Sequence, residues 1–350
     1  MRISEADLVH IDEKKPSYPI RTPLYQYLGE YGRLFDQDLN YKELREFSEQ
    51  IPLYDRDGID SYWQTVLYAP AQRDLLDQRL CQVYAALKME GNQAFLKHLY
   101  IDRIDYCEFG NSQPFRIRVV NRYNDNHDYY YVKKADASRI YGLELEHILS
   151  PNRINILVHG ETLIEEHISG IPGDIFIGDY LIRDPEINRI RVSKEFVKFS
   201  ERCFAKLLGD MRSYNFVMVL TQDFDAKQYR VRAIDFDRQC HEPQLKVYMP
   251  QFYQENQEVV EMVWDCLPPE TIRQYQSEER SLMRRRANSA RLRLEDLFAA
   301  MAQDPIAPPA NIDELALELS NYHKDPSFTR LRSMGELTRR HLFTMLEQRE

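Results

Sequence analysis

Apolar residues recur at helical spacing through much of the first hundred positions. Thr22-Pro23 reads as a cap followed by proline at the first helical position, ahead of LYQYLGEYGRLF. In AQRDLLDQRLCQVYAALKMEG, Leu75, Leu76, Leu80, Val83, Tyr84 and Leu87 share one helical face, and Gly91 stops the run. Near residue 99 the period changes from helical to alternating. LYIDRIDYCEF, PFRIRVVNRY and HDYYYVKK are three β-rich runs separated by the turn-forming stretches GNSQ and NDN, which predicts an antiparallel meander. ADASRIYGLELEHILS returns to helical spacing, with Ile140, Leu143 and Ile148 near one face, and ends before Pro151. INILVHGE and TLIEEHIS predict two more strands, after which GIPGD breaks the pattern. A helix follows from residue 193 in SKEFVKFSERCFAKLLGD, then two short strands, FVMVL and YRVRAIDF. The remainder is helical apart from DPIAPPAN at 304–311, and the helix beginning near Asn311 is expected in a terminal subdomain or bundle.

Composition narrows the class without naming a function. A chain of 350 residues with 43% apolar and 29% charged residues is long enough for two or three packed units and excludes wholesale disorder. No window approaches the apolar length of a membrane span, and MRISEADLVHIDEKK lacks the apolar core of a secretory signal, so a cytoplasmic protein is expected. Five cysteines, none at CxxC spacing, argue against a disulfide scaffold or a zinc ribbon; Cys81 and Cys203 lie near apolar helical positions and read as buried thiols. Nine histidines form no recognisable zinc spacing. Glycine is scarce and no internal repeat is present, which sets solenoids and propellers aside. A net charge of -10 disfavours nucleic acid as a partner of the whole chain while leaving room for a local basic patch. RSLMRRRANSARLRL is such a patch. It reads either as the solvated face of a long helix or as a docking surface for an anionic partner over 280–293, with Arg284, Arg285 and Arg291 its first members.

The most informative stretch is LLGDMRSYNFVMVLTQDFDAKQYRVRAIDFDRQ. Asp210 and Asn215 stand five residues apart between a helix and a strand, and Asp235 lies at the end of the second strand of a hairpin. Phosphoryl transfer from a nucleotide needs such oxygen groups: one carboxylate accepts or orients the acceptor hydroxyl, while an amide oxygen and a second carboxylate hold magnesium against the phosphates. Gly209-Asp210-x-x-x-x-Asn215 followed by Ile234-Asp235-Phe236-Asp237 resembles the catalytic loop and metal motif of protein-kinase-like phosphotransferases, especially the aminoglycoside and choline kinase branch and the phosphoinositide kinases. The resemblance implies Asp210 as catalytic aspartate and Asn215 and Asp235 as metal ligands. It puts Arg212 where many protein kinases carry a lysine, and Asp237 either joins the metal or replaces the family's glycine. Leu208 stands where the family has histidine.

Upstream, a meander, a helix and two further strands follow in the order of a kinase small lobe, so the resemblance covers about 99–242. Tyr-Tyr-Val-Lys fits the family's Val-Ala-Ile-Lys best with Lys133 as the phosphate-contacting lysine; Lys134 is the other candidate, because a shift of one residue turns the other side chain inward. Glu144 and Glu146 compete as its helix partner, with Glu144 preferred because it borders the apolar stripe. TLIEEHISG falls where the resemblance puts the hinge, whose backbone near Glu166, His167 and Ile168 would read adenine. The turn Phe109-Gly110-Asn111-Ser112 has one glycine, Gly110, where typical protein kinases have three, leaving the backbone amides of the turn and Ser112 to cover the phosphates.

The expected architecture is α+β, a bilobal protein-kinase-like fold with a helical N-terminal extension over 1–98, a small lobe over 99–168, a mainly helical large lobe over 169–303 and a C-terminal helical subdomain over 304–350. The expected function is ATP- and Mg²⁺-dependent phosphotransfer to a hydroxyl of a protein or small-molecule acceptor. The same sequence admits a pseudokinase-like nucleotide-binding module, favoured by the thin glycine loop and Leu208, or AMP transfer on the same fold.

Overall fold

The computed structural model describes residues 8–9, 14–36, 38–54, 58–88, 93–223 and 226–347. These divide into two compact units, one within Pro19–Ala137 and Ile154–His167, the other within Met1–Tyr18, Ser138–Arg153 and Ile168–Glu350. The expected mixture of helices and antiparallel strands is present, and among the described residues no helix is long and apolar enough to cross a membrane.

The first unit is built on a seven-stranded sheet of order β1-β2-β3-β4-β5-β7-β6. Its centre is the meander read from alternation: β3 (Leu99–Tyr106), β4 (Phe115–Asn121) and β5 (His127–Lys134) pair antiparallel, with Phe115 opposite Val132 and Ile117 opposite Tyr130. Phe115, Ile117 and Val119 alternate inward along β4. β6 (Ile156–His159) and β7 (Thr162–Glu166) close the far edge, and β7 pairs with β5. Helices α1 (Thr22–Glu30), α2 (Tyr41–Leu44) and α3 (Pro70–Lys88) complete the unit. Leu76, Leu80, Val83 and Leu87 of α3 join Ile101, Ile104, Tyr130 and Ile164 in one core, and each such buried side chain contributes up to about 1.5–3 kcal/mol. Leu75, expected on this face, is exposed. Tyr130 donates its hydroxyl to the Leu80 carbonyl at 2.9 Å, which satisfies the polar atom it buries.

The N-terminal hundred residues depart from the helical reading. β1 (Glu49–Tyr54) and β2 (Asp60–Leu67) form a hairpin at one edge of the sheet. All of β1 except Leu53 is exposed, so the run lacks the alternation that marks a half-buried strand. Pro52 is tolerated because β1 is an edge strand and need not donate outward.

The second unit contains α4 (Ala137–Leu149) and a three-stranded sheet of β8 (Ile171–Pro172), β9 (Phe216–Asp223) and β10 (Ala226–Ala233), in the order β10-β9-β8. Between β8 and β9 lie α5 (Gly173–Ile175), a π-helical stretch over Phe176–Tyr180, α6 (Leu181–Arg183) and α7 (Arg189–Lys206). Asn188 caps α7, its Oδ1 accepting from the Arg191 N–H at 3.0 Å. Phe196 and Phe199 of α7 pack on Phe216 of β9, with the Phe199 and Phe216 rings 5.2 Å apart. The rest is helical: α8 (Gln257–Cys266), α9 (Pro269–Ser289), α10 (Arg291–Met301), α11 (Pro309–His323) and α12 (Met334–Glu347). The expected terminal subdomain over 304–350 is part of this same unit, for His341 of α12 lies 3.0 Å from the Phe204 carbonyl of α7. Cys81 and Cys203 are buried, and burial pushes their thiols up to about 11 and about 12.

Candidate functional site

The second unit brings the residues around 208–215 and 235–241 side by side. α7 ends at Leu207 in the left-handed region (φ 53), and the Leu208 N–H returns to the Cys203 carbonyl at 2.9 Å. The chain then pairs with the segment after β10: Leu208 bridges Gln239, the Gly209 N–H donates to the Arg238 carbonyl at 3.2 Å, and the Cys240 N–H donates to the Leu207 carbonyl at 2.9 Å. Ser138 at the start of α4 donates to the Gln239 carbonyl at 2.7 Å, tying that helix to the same segment.

Asp210 sits at the bend of this loop with φ 60, a conformation Asp and Asn adopt more readily than other side-chain-bearing residues. Its N–H donates to the Tyr253 hydroxyl at 3.0 Å, and Tyr253 in turn donates to the Val247 carbonyl at 2.7 Å. Asn215 donates its side-chain amide to the Asp210 carbonyl at 2.7 Å, closing the loop on itself. Arg212 donates Nε to Asp210 Oδ1 at 2.6 Å and lies 3.8 Å from Glu255. Burial pushes the Asp210 carboxyl up from 3.8 to about 6, against the hydrogen bond and charge of Arg212, and the charge of Asp235 adds to the rise. The loop therefore presents a carboxyl that exchanges its proton near neutrality beside a fixed guanidinium.

Asp235 and Asp237 are held by a residue the sequence reading did not single out. Arg139 of α4, only 2% exposed, donates to Asp235 Oδ1 at 2.8 Å and to Asp237 Oδ1 at 2.5 Å. Asp235 Oδ1 also accepts the Asp237 N–H at 3.0 Å. Positive charge is thus already lodged between the two carboxylates expected to hold magnesium, and a divalent ion at the same oxygens would face a buried guanidinium of like sign. Asn215 turns its amide nitrogen to the Asp210 carbonyl, which leaves its amide oxygen as the atom that could ligate a metal, and among the described residues no group of three or more His, Cys, Asp and Glu side chains is placed to hold a metal ion. In this arrangement a magnesium ion at Asp235 and Asp237 would have to displace Arg139 or share the oxygens that it holds. A local clue to Arg139 existed in Ala-Ser-Arg-Ile-Tyr-Gly-Leu, where one charge interrupts an apolar helix and calls for a buried counter-charge.

The two carboxylates of α4 are also engaged. Glu144, fully buried, accepts from Arg293 of α10 at 2.6 Å, and Glu146 pairs with Lys206 of α7. Burial opposes ionisation of Glu146, but Lys206 and Arg202 outweigh it and hold the carboxyl below its ordinary range. Ile168 is buried in this unit.

In the sheet unit, Lys133 is turned inward on β5 and Lys134 outward, which separates the two lysine candidates by orientation. The Lys133 ammonium lies 2.7 Å from Glu165 on the neighbouring strand β7 and 5.4 Å from the Tyr131 ring. Glu165 was not anticipated; every residue of β7 except Glu166 is buried, so no alternation marked it as the inward carboxylate. Glu166 accepts from the Asn155 N–H at 2.9 Å and pairs with Lys88 at 3.2 Å. His167 lies 3.2 Å from the Tyr131 hydroxyl, and burial lowers the pKa of its imidazole. The turn carrying Gly110 and Ser112 is fastened by its neighbour Gln113, whose carbonyl accepts from Tyr41 and whose side chain accepts from Arg45, each at 2.8 Å.

No protein-family model matches the chain, and no curated protein matches it. Among solved structures, titin kinase with its flanking domains is similar at a TM-score of 0.28 and 13% identity, over 72% of this chain and 47% of that one. The chain thus spans about half of that structure's length. The Neurospora crassa PAN3 pseudokinase is similar at a TM-score of 0.21 and 10% identity, over 79% of this chain and 70% of that one.

Proposed function

We propose that this chain is a kinase-like module that binds a nucleotide and is held out of magnesium-dependent phosphotransfer by its own Arg139. The observation that carries the reading is the buried guanidinium bridging Asp235 and Asp237. Phosphotransfer in kinase-like centres rests on positioning and on neutralising phosphate charge with metal. Here the carboxylates that would bring the metal are engaged by the chain itself, and removing Arg139 takes the shared guanidinium from both at a cost of about 3–5 kcal/mol.

A second reading, active transfer to a hydroxyl, is favoured by Asp210. A carboxyl with a pKa of about 6 is suited to accept a proton at neutral pH, because general-base efficiency peaks when the pKa lies near the working pH. The two readings separate in one set of measurements. On the first, ATP raises the melting temperature equally with Mg²⁺ and with chelator, and neither γ- nor α-labelled ATP transfers label to the protein or to candidate hydroxyl acceptors. Arg139→Met then melts lower without metal and acquires a Mg²⁺-dependent rise that the wild-type protein lacks. A Mg²⁺-dependent rise in the wild-type protein, with γ-label transferred and lost in Asp210→Asn, would replace the first reading with the second; α-label transfer would indicate AMP transfer. No nucleotide-dependent shift under any condition would remove both.

A further inference from the structure

The basic run singled out in the sequence has no part in the site above, yet it lines a cavity. Arg284 of α9 and Arg291 of α10 face a space of about 600 Å³ that Arg339 and Arg340 of α12 also line. Two of these arginines are already neutralised: Arg291 pairs with Glu295 at 2.8 Å and Arg340 with Asp325 at 2.8 Å. The other two are not. Arg284 has no carboxylate partner among the described residues, and Arg339 lies over the Phe343 ring, its guanidinium 5.5 Å from the centroid. The cavity is also lined by apolar side chains, Ala287 and Leu294 buried and Phe343 half-buried, and Glu347 at the end of α12 is its remaining acid.

From this we infer that the α9–α10–α12 cavity binds a phosphomonoester carried on an apolar or aromatic body, with Arg284 and Arg339 receiving the phosphate. A phosphate dianion offers three oxygens and two charges to two guanidinium forks on separate helices, whereas a carboxylate brings one charge and leaves one fork unmatched. The apolar lining and a volume within the usual range of small-molecule sites argue for a body larger than the phosphate group alone. In a protein of net charge -10, this local positive field also draws an anion to one face against the overall repulsion. The inference is independent of the nucleotide reading, because the residues lining the cavity include none of those placed around Asp210 and Arg139.

The probe is phenyl phosphate, titrated by calorimetry into the full chain alongside inorganic phosphate and phenol. Phenyl phosphate is expected to bind at least about tenfold more tightly than either, since charge and apolar contact each contribute. The double variant R284Q/R339Q should lose at least about tenfold of that affinity while keeping its melting temperature to within a few degrees, Arg339 being exposed and Arg284 half-buried. Vesicles containing phosphatidic acid ask where the group comes from: co-sedimentation lost in the same double variant assigns a lipid source, and phenyl phosphate binding without vesicle binding assigns a soluble one. Equal affinity for phenyl and inorganic phosphate, wild-type affinity in the double variant, or no binding of phenyl phosphate would each overturn the proposal.

Discussion

Asp210 joins a left-handed backbone to a carboxyl that holds its proton two pH units above its ordinary value, and the two properties point to the same substitution. Asparagine suits φ 60 and keeps the acceptor for Arg212, whereas alanine would add a backbone penalty of about 1–2 kcal/mol. With a folded pKa of about 6 against 3.8, the folded state binds the proton more tightly than the unfolded state. The stabilisation is complete below about pH 3.8, declines as pH rises from there through 6, and is gone above it. The difference in denaturant midpoint between wild type and Asp210→Asn should therefore change across pH 4–6 by the equivalent of about 1–3 kcal/mol and be flat outside it. Glu201, which burial pushes up to about 7, titrates in both proteins and cancels in the difference. A flat difference curve would show that the Asp210 carboxyl is not raised. Arg139 shows the limit of local reading at this scale: its hydrogen bond reaches Asp235, 96 positions along the chain, and no spacing rule links residues so distant. Asp210, Arg212 and Asn215 were legible together because six consecutive residues contain them.

At the scale of elements, the helix crossing of α10 and α12 depends on a missing side chain. A Cβ at Gly335 would lie 2.5 Å from the backbone nitrogen of Ala302 and 2.5 Å from the carbonyl carbon of Met301. Backbone cannot give way as a flexible side chain can, so Gly335→Ala forces α12 outward and should destabilise the protein by about 1–3 kcal/mol. Gly178 in the π-helical stretch is the control, for a Cβ there meets nothing within 4 Å and Gly178→Ala should leave the urea midpoint nearly unchanged or raise it. Equal midpoints for the two variants would mean that α12 does not seat on α10 as closely as described. The elements themselves were legible to unequal degrees. β3 to β5 announced themselves because one face of each is buried and turns of Gly, Asn and Asp separate them. β1 did not, because an exposed edge strand with a proline carries no burial pattern for alternation to record.

For the whole molecule, the least legible feature is the allegiance of α4. Nearly every residue of this helix is buried, so its periodicity states that it is enclosed and not by which unit. Chain order suggested the sheet, since β5 precedes it and β6 follows. Its polar side chains decide otherwise: Arg139 bonds Asp235 and Asp237, Glu144 bonds Arg293, Glu146 bonds Lys206, and the helix belongs to the unit of α7 and the later helices. Native-state hydrogen exchange reads this directly, because amides within one cooperative unit share an opening free energy. Phe199→Ala in α7 removes a side chain packed on Phe216 and should cost about 3–5 kcal/mol, lowering protection in α7 and α4 together. Ile117→Ala in β4 should cost about 2–5 kcal/mol and lower protection across β3, β4 and β5, with α4 following α7 and not these strands. If α4 loses protection in step with β4 in Ile117→Ala and stays unchanged in Phe199→Ala, the helix is a part of the sheet unit in energetic terms.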